Sequence, residues 1–177
     1  SGRVTGVQTC ALPICLAERE RFDILLIDLD GFKAVNDTHG HNAGDFLIKA
    51  MADRLREVTD DQDLLVRLGG DEFVILLEDV DGTLGSVRKY AEYLIDIVSR
   101  PYRWQQAVLR VSASVGHARF PHHGASPSKV LSLADKALYA AKDAGKAQCI
   151  TYGSETYLNL GQAKSSRPQS SDRKSVV

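Results

Sequence analysis

The stretch RLGGDEF, Arg67 to Phe73, decides how the fold is read, because it separates two apolar runs, LLVRL (64–68) and EFVILLEDV (72–80). Paired glycines supply the positive φ angles that a short hairpin loop demands, so the runs are predicted to be antiparallel strands joined at Gly69 and Gly70. The same turn carries two carboxylates, Asp71 and Glu72. Charge on so tight a turn calls for a reason outside the hairpin.

Working outward, RFDILLIDLD (21–30) is short, β-branched and leucine-rich and is closed by Gly31, which fits a buried strand. AGDFLIKAMADRLREVT (43–59) spaces Leu47, Met51, Leu55 and Val58 as an amphipathic helix does. LGSVRKYAEYLIDIVSR (84–100) is a second helix, stopped before Pro101. In AVLRVSASVGHARF (107–120), Leu109, Val111, Ala113 and Val115 alternate as on a strand with one buried face. SPSKVLSLADKALYAAKDAG (126–145) carries Ala134, Ala137, Leu138 and Ala141 on one stripe and ends at Gly145, and QCITY (148–152) is a last short strand. The predicted order is β-α-β-β-α-β-α-β, an α/β (α+β) sandwich in which helices cover a mixed sheet of about five strands.

With 177 residues, 44% apolar and 25% charged, one globular domain is expected. A net charge of -1 provides no field to draw the protein onto nucleic acid or an anionic membrane, and neither is expected as a partner. The apolar runs are far short of the roughly 20 residues that span a bilayer. Cys10, Cys15 and Cys149 are too few and too scattered for a disulfide framework or a CxxC metal site, so a reducing, cytoplasmic setting is expected. Ile14 stands where a small residue would precede a lipidated cysteine, which argues against a lipoprotein signal at Cys15. Residues 4–14, VTGVQTCALPI, resemble the translation of a sequencing-library adapter, and the last six residues, DRKSVV, resemble the matching adapter. The expected organisation is a non-native segment over 1–14, one domain over 15–156 with a truncated first helix, and a disordered tail over 157–177.

Asp28 and Asp30 lie two apart at the C-terminal end of the first strand and point the same way. If the hairpin strand is its neighbour, Asp71 and Glu72 join them in a carboxylate cluster with little basic charge nearby. Such a cluster is unfavourable without a cation, and hard oxygen ligands select Mg²⁺ or Mn²⁺. The bare glycines would leave room for a nucleotide to approach the backbone.

The blocks DLDGFKAVNDTHGHNAGDFL (28–47), RLGGDEF, VSASVGHARFP (111–121) and ADKALYAAKDAGKAQ (134–148), in this order, strongly resemble the GGDEF domain of diguanylate cyclases. The resemblance covers roughly residues 16–153. It implies a fold similar to the palm of nucleotide cyclases and polymerases, and condensation of two GTP into cyclic di-GMP with release of two pyrophosphates. It also implies that two domains meet face to face, since each offers one GTP pocket.

Carried over residue by residue, the resemblance gives Asp28, Asp71 and the backbone carbonyl of Leu29 as metal ligands. Asp71 also helps deprotonate the attacking 3′-hydroxyl, and Glu72 completes the acidic turn. Asn36 and Asp45 face the base, where a carboxylate accepts from the N1–H and 2-amino group of guanine. His41 falls in the substrate pocket, or is simply a helix-start residue. Backbone N–H groups of Phe32 and Lys33 cradle phosphates next to Gly69 and Gly70, and Lys33 offsets charge. Lys142 and Lys146 match a triphosphate-binding basic pair, the alternative being that they complement a helix dipole.

Two departures stand out. The family's RxxD product-inhibition site corresponds to DDQD, residues 60–63, with Asp60 in place of the arginine and Asp63 retained. Of the family's first helix only LAERER (16–21) remains. The full gene is expected to hold a sensory or phosphodiesterase domain, with this domain cytoplasmic either in a free protein or as the cytoplasmic part of a membrane-anchored parent. A catalytically weak GTP-binding regulator of a tandem phosphodiesterase is the alternative function, and a cyclase acting on a single ATP or GTP is a third.

Overall fold

The computed structural model describes residues 19–78 and 84–165, and the adapter-like ends at 1–14 and 172–177 lie outside them. Five strands form one mixed sheet in the order β2-β3-β1-β6-β7. They are β1 (Phe22–Asp30), β2 (Leu64–Gly69), β3 (Glu72–Glu78), β6 (Ser112–Phe120) and β7 (Cys149–Thr151). All pairs are antiparallel except β6 with β7. The central strand β1 is buried at every position, which explains its unbroken apolar run.

The two faces of β1 have different partners. Leu25, Ile27 and Leu29 pack with α2 (His41–Val58) and α3 (Leu84–Ser99) in the larger core. Phe22, Ile24 and Leu26 pack with Val130, Leu133, Ala134 and Leu138 of α4 (Pro127–Asp143). Leu47, Met51 and Leu55 of the predicted stripe are buried, and Val58 packs half-buried against the same core. Helix α4 starts with the Ser126 hydroxyl accepting from the Lys129 N–H at 3.3 Å. It ends as the glycine signal predicts. Gly145 takes φ 117°, its N–H bonds to the Lys142 carbonyl at 3.3 Å, and the Lys146 N–H bonds to the Ala141 carbonyl at 3.0 Å.

Three elements differ from the sequence reading. A short helix, α1 (Phe32–His39), follows β1, and with only Val35 buried it has no apolar stripe to betray it. The single strand expected over 107–120 is broken: β5 (Ala107–Leu109) turns back on β4 (Tyr102–Trp104) as a separate hairpin, while β6 joins the main sheet. Leu109, Val111, Ala113 and Val115 are nevertheless all buried, so their alternation runs straight through the bend. The tail expected to be disordered from residue 157 instead begins in α5 (Glu155–Ser165), whose Tyr157 and Leu160 pack against Ala137, Ala141 and Ile150. Ser154 supports its first turn by accepting from the Tyr157 N–H at 3.2 Å.

At the far end of β1, the buried carboxylate of Asp23 bonds to His117 Nε2 at 2.7 Å and to Arg119 Nε at 2.8 Å. Burial pushes its pKa up, but these two partners outweigh burial and hold it below the usual value. Cys149 is a free buried thiol, pushed up to about 12 by desolvation. Among the described residues no helix is long and apolar enough to cross a membrane.

Candidate active site

The end of β1 and the glycine turn meet as the acid pattern requires. Asp28 lies directly opposite Glu72 of β3, and the Leu29 N–H donates to the Asp71 carbonyl at 3.3 Å. The loop proper is Gly70 and Asp71, because Gly69 still pairs with Glu72 across an irregularity in β2. Gly69 and Gly70 have φ of 151° and 51°, and a side chain added at either would meet open space. Here glycine serves the backbone bend and leaves the approach clear. Arg67 clamps the turn by donating from Nε and Nη2 to the Gly70 carbonyl at 3.0 and 2.7 Å.

Basic charge is closer than the sequence suggested. The Lys142 ammonium, from the last turn of α4, pairs with the Asp28 carboxylate. Burial still raises the Asp28 pKa to about 6, helped by Asp71 and opposed by Lys142. Glu72 is raised too, by burial first and then by Asp28 and by Asp135 on α4. Asp135 was not singled out from the sequence, although it lies inside the ADKALY block.

Asp30 has a different task from Asp28. Its oxygens accept from the Ser114 hydroxyl at 2.8 and 3.0 Å, from the Ser112 hydroxyl at 3.1 Å and from the Ala147 N–H at 3.2 Å. It thereby anchors the loop that carries Lys146, itself exposed on a backbone with φ 67°.

A second group forms at the corner between α1 and α2. The chain reverses at Gly40, φ 85°, whose N–H returns to the Asn36 carbonyl at 2.9 Å. Asn36 is half-buried there, next to the first turn of α2 with exposed His41 and Asp45. His41 is the first residue of α2, as its alternative reading had it. Phe32 and exposed Lys33 open α1 after Gly31, φ 90°, with no side chain capping the helix start. The first N–H groups of such a helix have no partner within it.

Among the described residues, no three carboxylate, histidine or cysteine side chains converge as a ready-made metal cage would need. The donors at hand are the carboxylates of Asp28 and Asp71 at one strand end. Mg²⁺ commonly takes one or two carboxylates and completes its shell with water and substrate phosphates. This donor set therefore fits a divalent cation that arrives with a nucleotide.

Comparison with known proteins identifies the family and the fold. The family described as "Diguanylate cyclase, GGDEF domain" matches residues 10–148. The bifunctional diguanylate cyclase/cyclic di-GMP phosphodiesterase MucR of Pseudomonas aeruginosa is 41% identical over 136 residues, covering 77% of this chain and 20% of MucR. The chain thus spans a fifth of that relative. The crystal structure of the GGDEF domain of TpbB from P. aeruginosa superposes with a TM-score of 0.77 at 30% identity, covering 84% of this chain and 97% of that one. The GGDEF domain of DgcB from Caulobacter crescentus, solved in complex with c-di-GMP, gives a TM-score of 0.73 at 28% identity over 82% of this chain and 88% of that one. A family match across most of the length, with a shared fold, gives the conclusion that this chain belongs to the GGDEF domain family of diguanylate cyclases.

Proposed function

We propose that the domain condenses two GTP into cyclic di-GMP and two pyrophosphates, each of two domains holding one nucleotide. The observation that carries this reading is the meeting of Asp28, Asp71 and Glu72 with Lys142 where β1, the glycine turn and the end of α4 converge. A 3′-oxygen attacks the α-phosphorus of the opposing nucleotide, a new O–P bond forms, and the bond to the β-phosphate breaks as pyrophosphate leaves. Asp71 takes the proton of the 3′-hydroxyl. Lys142, Lys146 and Lys33 neutralise the phosphates, the open N–H groups of Phe32 and Lys33 cradle them, and bare Gly69 and Gly70 admit them to the turn. Asn36 and Asp45 read guanine, with His41 at the rim of the pocket. Adenine lacks the donors that Asp45 would accept and would leave it unpaired.

Asp28, Asp71 and the carbonyl of Leu29 would hold Mg²⁺ or Mn²⁺, which when bound offsets charge on the phosphoryl oxygens during in-line attack. Dependence on GTP places the work in the cytoplasm. A second reading, in which the domain binds GTP as a regulator of a neighbouring phosphodiesterase, is supported by its similarity to the cyclic di-GMP phosphodiesterase PdeR of Escherichia coli, 30% identical over 139 residues. Incubation with GTP and identification of the product by mass separates the two. Cyclic di-GMP establishes the cyclase, binding without turnover establishes the regulator, and a single-nucleotide cyclic product discards both.

A further inference from the structure

We propose that Gly44 is a positioning residue for base recognition: by having no side chain it lets the Asn36 amide lie on the first turn of α2, next to Asp45. This rests on the reading of Asn36 and Asp45 as the guanine-facing pair.

Gly44 is buried and helical, and it has no positive φ. Nothing in its backbone requires glycine, and a helix interior disfavours it relative to alanine. What requires it is its neighbour. A Cβ at position 44 would lie 1.9 Å from Asn36 Oδ1, 2.9 Å from Cγ and 3.3 Å from Nδ2. One of the two groups must then move. The backbones are fixed relative to one another by the reversal at Gly40, whose N–H bonds to the Asn36 carbonyl at 2.9 Å and whose carbonyl accepts from the N–H groups of Ala43 and Gly44 at 3.1 and 3.3 Å. The amide end of Asn36 is therefore the part that yields.

Gly116 provides the contrast within the same molecule. A Cβ there would meet the backbone of α4, 2.1 Å from the Ala134 carbonyl oxygen and 2.3 Å from the Leu138 nitrogen, so that glycine serves strand-to-helix packing. At Gly44 the three nearest atoms all belong to one polar side chain. Alanine at 116 should damage the fold, whereas alanine at 44 should keep the fold and displace a single amide.

The test is a cycle of Gly44→Ala, Asn36→Ala and the double variant in this same chain, read by GTP and ATP titration calorimetry, thermal unfolding and the side-chain amide NMR signal of Asn36. Gly44→Ala is expected to keep or raise Tm, to move the Asn36 amide signal, and to weaken GTP binding about ten-fold, the size of one lost hydrogen bond, while ATP binding stays as it was. On the Asn36→Ala background the glycine substitution should cost nothing further. An unmoved Asn36 signal, undiminished GTP affinity in Gly44→Ala, or a loss that persists in full without Asn36 overturns the proposal. If Asn36→Ala itself binds GTP as the parent does, the base-reading assignment fails, and the proposal fails with it even where the signal moves.

Discussion

Lys142 and Asp28, 114 residues apart in the chain, form an ion pair that ties the last turn of α4 to the end of the central strand. The ammonium sits where a divalent cation would share Asp28. Removing it in Lys142→Met should tighten Mn²⁺ binding to the nucleotide-free protein about five-fold, the scale of a partly exposed ion pair. The same change should weaken GTP binding about ten-fold through loss of a charged phosphate contact. Mn²⁺ titration by electron paramagnetic resonance and GTP calorimetry read the two opposite effects, and weaker Mn²⁺ binding in the variant would contradict the competition.

Asp71 stands on the glycine turn, bonded through its carbonyl to Leu29. Asp71→Asn should lower cyclic di-GMP formation at least about 100-fold, since the proposed proton acceptance and cation binding both suffer. Its circular dichroism and Tm should stay near those of the parent. Undiminished turnover in this variant would remove Asp71 from the mechanism.

His123 sets an acid limit on stability. Its Nδ1 accepts the Arg119 N–H at 2.8 Å, and burial, with its neighbours His122, His117 and Arg119, lowers its pKa to about 4 from 6.5. Between pH 6.5 and 4 the unfolded chain therefore binds more protons than the folded one, so stability falls as pH falls through this window. After allowance for its partial exposure the loss is about 1 kcal/mol. Denaturant unfolding from pH 7 to 4 should show a shallower slope in His123→Gln, and an identical slope would assign the loss elsewhere.

The pre-signature turn offers no cation to a product phosphate. Asp60 is exposed, the Asp63 N–H bonds to the Asp60 carbonyl at 3.0 Å, and Asp63 Oδ1 accepts the Glu78 N–H at 3.0 Å. Asp63 is thus committed to the sheet edge. Cyclic di-GMP at micromolar concentration should leave turnover unchanged, and Asp60→Arg should introduce inhibition by supplying paired, charge-assisted hydrogen bonds. Non-competitive inhibition of the parent enzyme would contradict this.

The proposed reaction brings two nucleotides together across two domains, so turnover should rise faster than linearly with protein concentration at low concentration. Initial rates across a dilution series test this. Strict proportionality down to the nanomolar range would point to a preformed tight dimer or to another reaction.

The sequence by itself determined the strand and helix periods and the position of the hairpin. Alternation and 3.6-residue spacing express burial directly, and the stripes of α2 and α4 and the glycine stop at Gly145 all follow from short-range chemistry. It also determined that acids gather at one strand end, because Asp28 and the glycine turn are each legible locally.

Only the tertiary structure decided what each of those acids does. Asp28 and Asp30 look alike in sequence, but one faces Glu72 and Lys142 while the other is saturated by Ser112, Ser114 and Ala147, partners at least 82 residues away. No window along the chain contains such pairs. The break between β5 and β6 was hidden because burial alternates through it, and α1 was hidden because a helix with one buried residue has no stripe. Gly44 is the sharpest case: its sequence context is an ordinary helix start, and its reason lies in an amide folded back upon it from the preceding helix.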